Sequence, residues 1–221
     1  YLIMSLELSG TTGVKGVAGS VSAPSIVGDD TNTGISFPSA DTIKFSTGGV
    51  ERMSITNSGV SGITTGITMH DVWTISSSFN AAGDITSNLV RANAYQATIG
   101  SAMTESSGVF TFPSTGLYEI VFNIYWRVTS GTTQRYLSCN IKKTVNNSSY
   151  TLFGNASVSI SPTSSSATYE QSTAVTYFDV TDTANQKIKF NAEAEGTSSV
   201  NSEHGNSYLT TYMSFTRLGD T

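Results

Sequence analysis

An all-β fold in two parts is predicted by three features of this 221-residue sequence. The first is alternation: Tyr118, Ile120, Phe122, Ile124, Trp126 and Val128 are apolar, with Glu119, Asn123 and Arg127 among the positions between them. Period two puts one face of a strand in a core and the other outward. The second is composition. Ser and Thr number 67, whereas charged residues make up only 12%, so strand and turn formers replace the long charged side chains that helices use. The third is the recurrence of short apolar runs closed by turn residues along the whole chain.

Residues 1–66 and 67–221 follow different patterns. The first part holds 11 of the 20 glycines and, Tyr1 aside, neither Trp nor Tyr. Its runs are Ile35-Ser36-Phe37, Ile43-Lys44-Phe45 and Met53-Ser54-Ile55, with turn signals at Gly48-Gly49 and Asn57-Ser58-Gly59. Strands this short bury no core alone. Three chains wound together would bury one, so an intertwined short-stranded segment is predicted. Gly10, Gly13, Gly16 and Gly19 recur at every third residue, but four triplets without proline hold no collagen helix, and an irregular segment is expected there.

A linker at 62–66 leads into the second part, which carries both Trp and nine of the ten Tyr. Strands are predicted at 71–76, 88–92, 109–112, 117–128, 134–142, 150–160, 169–180, 186–195 and 207–218, separated by clusters such as Asn146-Asn147-Ser148 and Thr181-Asp182-Thr183-Ala184-Asn185. Eight or nine strands with short turns over about 150 residues fit a jelly roll.

Phe110, then Gly116 and Tyr118 after a Pro113-Ser114-Thr115 turn, then the alternating apolars, resemble the central signature of the C1q/TNF-like jelly roll. The resemblance spans about 70–221, with Met103 standing where that family carries an aromatic. It implies a homotrimer with termini at one end and binding loops at the other. A second resemblance covers 28–62. Asp30-Thr31-Asn32-Thr33-Gly34, Pro38, Ala40-Asp41, Gly48-Gly49, Glu51-Arg52 and Ile55 are similar to an element of tailed-phage fibre and tailspike proteins. Residues 103–113 and 216–221 also resemble head domains of marine phage, particularly cyanophage, structural proteins.

These resemblances imply a virion structural protein on the tail or capsid surface, made in the host cytoplasm. Residues 1–66 would form the shaft and attach to other virion proteins. Residues 67–221 would form a trimeric knob contacting a host-surface glycan or protein. A capsid-decorating head fibre or cement protein of the same fold is the alternative. The natural start, Tyr1 or Met4, is left open.

Candidate receptor loops mix amides, hydroxyls and aromatics: Asn146, Asn147 and Tyr150 in one, Asn201, His204 and Asn206 in the other. Aromatics with no intrachain stripe are interface candidates: Tyr125, Tyr208, Tyr212 and Phe215. The net charge of −5, with only Lys142-Lys143 as a basic pair, argues against nucleic acid. No apolar run approaches the ~20 residues of a membrane span. Cys139 shares a strand face with Leu137 and Ile141 and reads as a core thiol. No enzyme is expected. There is no nucleophile elbow, and His70 and His204 lack zinc-site company. Glu193 and Glu195, about 6.5–7 Å apart on one strand face, rank low as a glycan-cleaving pair. Asp30–Gly34 resembles half a calcium loop but lacks the distal Glu, so it reads as an Asx-rich turn. No cofactor is expected beyond the structural calcium on the threefold axis that some C1q-like heads hold.

Overall fold

The computed structural model describes residues 7–9, 13–15, 17–63, 66–81, 83–92, 97–129, 134–161, 166–196, 198–200 and 209–220. The chain separates into two units, Tyr1–Gly66 and Ile67–Thr221. Among the described residues no helix forms.

In the first unit, β1 (Glu7–Ser9) pairs with β2 (Gly13–Lys15). One glycine triplet, Gly13–Lys15, thus forms a strand, residues 17–20 carry no regular structure, as expected, and 10–12 and 16 lie outside the described residues. The strands β3 (Ile26–Val27), β4 (Gly34–Ser36), β5 (Ile43–Thr47), β6 (Val50–Thr56) and β7 (Gly59–Ser61) form an antiparallel meander in sequence order. These ladders are made within one chain, so interwound copies are not what builds the sheet. The reason is local. Thr47 faces Val50 across Gly48-Gly49, whose φ values of 58° and 73° suit the primed two-residue turns that match strand twist.

The second unit contains β8 (Met69–Ile75), β9 (Phe79–Asn80), β10 (Gly83–Asp84), β11 (Leu89–Arg91), β12 (Thr104–Ser106), β13 (Val109–Thr111), β14 (Gly116–Val128), β15 (Gln134–Thr144), β16 (Thr151–Ile160), β17 (Thr168–Val180), β18 (Lys187–Ala194), β19 (Ser198–Val200) and β20 (Tyr212–Gly219). Two sheets result. One runs β12-β13-β18-β15-β16, with β10 also on β18; the other runs β11-β8-β20-β14, with β17 and β19 also on β14.

Their inner faces share a single core. Phe110, Tyr118, Phe122, Trp126, Phe190 and Phe215 are fully buried in it. Phe110 meets Trp73 and Phe190 edge-on, with ring centroids 5.3 Å apart in both pairs, and such pairs add about 0.5–1.5 kcal/mol beyond burial. Cys139 lies in the same core, and burial raises its thiol pKa.

The Phe110–Tyr118 signature has a physical cause. Phe112 packs against Tyr118 at 4.7 Å, and the Tyr118 hydroxyl donates to Ser114 O at 3.0 Å, pinning the turn between β13 and β14. Gly116 opens β14 at φ +139°, where an added Cβ would lie 2.6 Å from Gly219 O. Gly116→Ala is therefore expected to cost roughly 1–3 kcal/mol from a combination of strain and close contact, read as a lowered urea midpoint with an unchanged slope.

Candidate functional site

The two outer faces of the sandwich differ in chemistry. On the β15/β18 sheet, outward residues form a hydrogen-bonded polar ladder. Asn155 Nδ2 donates to Asn140 Oδ1 (2.5 Å), Asn140 Nδ2 to Asn191 Oδ1 (2.8 Å), and Asn191 Nδ2 to Asp84 Oδ1 (3.0 Å). Lys142 Nζ also donates to Asp84 at 2.8 Å, Lys189 stands 3.7 Å from it, and Ser138 pairs with Ser157.

Burial opposes ionisation of Asp84, but the hydrogen bonds from Lys142 and Asn191 and the two lysine charges outweigh it and lower its pKa. A depressed carboxyl contributes stability that is present above the ordinary carboxylate range and lost as pH falls through the folded value. Acid titration of unfolding should therefore show Asp84→Asn less acid-sensitive than the parent, and equal sensitivity would remove the ladder from the account.

On the β14/β17/β20 sheet the outward face lacks such a ladder. The register places Val121 opposite Val175, Glu119 opposite Tyr177, Arg127 opposite Tyr169, and Asn123 opposite both Thr173 and Tyr212. Val175, Tyr177 and Tyr169 are 50%, 55% and 39% exposed. Tyr125 stacks on Tyr169 at 5.4 Å. Tyr177 donates to Glu119 at 3.1 Å, and this carboxylate raises the phenol pKa. Asn123 is buried beneath, accepting from Gln171 and Thr173 at 2.6 Å each and donating to Thr210 O.

Tyr125 and Tyr212 thus stand half-buried on one outer face. Phe215 does not join them. It is 0% exposed and packs on Phe110, Phe112 and Phe190. It is three positions on from Tyr212, so strand alternation sends the two side chains to opposite faces, and Phe215 is corrected from interface candidate to core. Tyr208 lies outside the described residues, as do Asn201, His204 and Asn206.

The turn carrying Asn146 and Asn147 and the described flank of 201–206 lie at opposite ends of the sandwich. The chain enters the sandwich where Met69 faces Arg217, and Gly116 faces Val180 at that same end. The turn carrying Asn146 and Asn147 is there too, since Thr144 faces Lys187 and Asn147 N donates to Asn185 O at 2.9 Å. The flanks of 201–206 are at the other end, with Val200 facing Trp126 and Ser198 facing Val128. Along β14 that separation is about 40 Å.

Asn146 is engaged in its own turn. Its Oδ1 accepts from Thr144 Oγ1, Ser148 N and Ser149 N, an Asx cap. Tyr150 lies under Lys189, whose Nζ is 4.5 Å from the ring.

The remaining candidates resolve into structural contacts. Glu195 accepts from the backbone and the guanidinium of Arg135, and these bonds lower its pKa. A carboxyl kept ionised is poorly suited to general-acid work. Asp30 accepts from Asn32 N and Thr33 Oγ1, the expected Asx turn. Among the described residues no cluster of three or more metal-ligating side chains occurs.

One residue carries far more than its sequence context indicates. Asp71, next to His70 at the start of the second unit, is fully buried. It accepts from Arg91 Nε (2.9 Å) and Nη2 (3.3 Å), Trp73 Nε1 (2.9 Å) and Met103 N (3.0 Å). Arg91 also lies 4.6 Å over the Trp73 ring and donates to Met103 O at 2.7 Å. The unit joins β8, β11 and the segment before β12.

No family model and no curated protein matches the chain. Among solved structures, it is similar to Eiger TNF from S. frugiperda, with a TM-score of 0.54 and 13% identity, over 71% of this chain and 96% of that one. It is also similar to murine APRIL at pH 5.0, with a TM-score of 0.48 and 9% identity, over 68% of this chain and 98% of that one. With its sheet order and shared core, the chain carries a TNF-like jelly-roll sandwich.

Proposed function

We propose that this chain is a virion structural protein of a tailed phage, a homotrimeric short fibre or spike whose jelly-roll knob contacts the host surface. The observation that carries self-association is the contrast between the outer faces. One is crossed by a hydrogen-bonded polar ladder, with Leu152 and Tyr136 exposed beside it; the other leaves Val175 and Tyr177 exposed beside Val121 and Glu119, and Tyr169 beside Arg127. Covering apolar surface is worth about 25 cal/mol per Å², and a face of this kind fits a neighbouring copy. The virion setting rests on the phage-fibre resemblance of 28–62, and the number three on the C1q/TNF-like resemblance. The end opposite the chain's point of entry, toward which Ser198–Val200 lie, is then the one free to meet a glycan or protein on the host, while residues 1–66 meet other virion proteins.

A capsid-decorating trimer is the second reading, since the jelly-roll fold and the phage-fibre resemblance are common to both. Light scattering should give the mass of three 23.3 kDa chains, and a stable monomer overturns both readings. Purified protein that blocks adsorption to host cells supports the fibre. Particles that lack it, adsorb normally and break on heating support decoration.

A further inference from the structure

Apart from the bulge opposite Phe45 and Ser46, the register of the β3–β7 meander sorts its side chains. Ile26 faces Ile35, which faces Phe45, which faces Met53. Ile43 faces Ile55, which faces Val60. Paired residues share a face, as do residues two apart on a strand, so Ile26, Ile35, Ile43, Phe45, Met53, Ile55 and Val60 all lie on one side. The other side carries Ser36, Lys44, Ser46, Ser54 and Ser61, with Lys44 paired to Glu51 at 2.7 Å. The burial is the reverse of an ordinary sheet. Ser36, Ser46 and Ser54 are buried, while no apolar side chain among the described residues of this unit is. Ile26 and Val60 are 54% and 57% exposed. A shallow depression of about 400 Å³ beside Ile43 and Ile55, walled by Phe37, is open on the same side.

The size of this face selects its occupant. Five strands about 4.8 Å apart, with about four residues each at 3.3 Å, give a footprint on the order of 300–400 Å². A free-standing interface needs roughly 800 Å² per partner, so the patch is too small to hold a partner arriving from solution. A copy already held by its sandwich is different, because tethering presents its own meander at an effective concentration in the millimolar range. The seven residues of the face are uncharged; Asp41, on the wall of the depression, accepts from Asn57 Nδ2 at 3.1 Å.

We infer that the apolar face of β3–β7 packs against the same face of the other copies, and that it closes only after the jelly-roll units have assembled. The inference rests on the self-association proposed above. The depression between Phe37 and Ile55 would receive an apolar side chain from a neighbour.

The test is hydrogen exchange on the full-length protein, with light scattering on each sample. In the parent assembly, amides of 43–56 should be protected at least tenfold more than in Val175→Asp, a variant altered only in the second unit. Ile55→Lys should keep the assembled mass yet lose that protection. Equal protection of 43–56 in assembled parent and dissociated Val175→Asp overturns the inference and leaves self-association standing. An assembled parent whose 43–56 amides exchange freely also overturns it, and assigns the face to another virion protein. A monomeric parent removes the underlying reading itself.

Discussion

Asp71→Ala should lower the unfolding free energy of the sandwich by about 3–5 kcal/mol, the usual cost of removing one partner from a buried ion pair. The Arg91 guanidinium would lose two bonds, and Trp73 Nε1 and Met103 N one each. Buried donors left without acceptors are the expensive part. Asp71→Asn should be only slightly milder, since an amide places one donor among these four. Urea unfolding followed by Trp fluorescence reads both. Removing Arg91 as well should recover part of the loss, because the two changes act within one network and are not additive. A loss below about 1 kcal/mol for Asp71→Ala, within the range of an ordinary exposed ion pair, would sink this account.

Val175→Asp is expected to abolish assembly while leaving the protomer folded. Val175 is half exposed opposite Val121, on the face assigned to other copies. A carboxylate closed into an apolar contact costs several kcal/mol per ion, and every copy would carry one. Light scattering should fall to 23.3 kDa, with near-parental far-UV circular dichroism. Leu152→Asp is the matched control. Leu152 is 60% exposed on the ladder-bearing sheet, opposite Lys142, and its replacement should leave the mass unchanged. Tyr212→Asp should likewise weaken assembly more than Glu195→Gln. Dissociation by Leu152→Asp but not by Val175→Asp would exchange the roles of the two faces.

Much of the sandwich was legible in sequence because its long strands carry their own period. β14 shows its inward set outright, and β18 shows Ile188, Phe190 and Ala192 in the same way. Strands β9, β10 and β19 span two or three residues, too few for any period to register. Phe215 was misplaced because an aromatic count ignores parity; its spacing from Tyr212 carried the answer. Asp71 was invisible for another reason. Trp73 is two residues on along β8, but Arg91 and Met103 lie 20 and 32 residues away, and only the pairing of β8 with β11 and the path of the segment before β12 bring them to it. The receptor loops looked alike in composition, but composition does not say at which end of a strand a loop emerges. In the first unit, the turn signals were read correctly, whereas the partner of each short strand proved to be its neighbour in the same chain.

The first and last strands of the sandwich meet side by side, with Met69 against Arg217. The outer ends of these two strands therefore lie at one pole, whereas Val128, Thr168 and Ser198 meet at the other. Such a module works like an interchangeable bulb on a fixed socket. Peptides grafted between Ile160 and Thr168, or between Val200 and Leu209, should leave the pairing of the first and last strands intact, because Thr168 and Val200 lie toward the pole away from that junction.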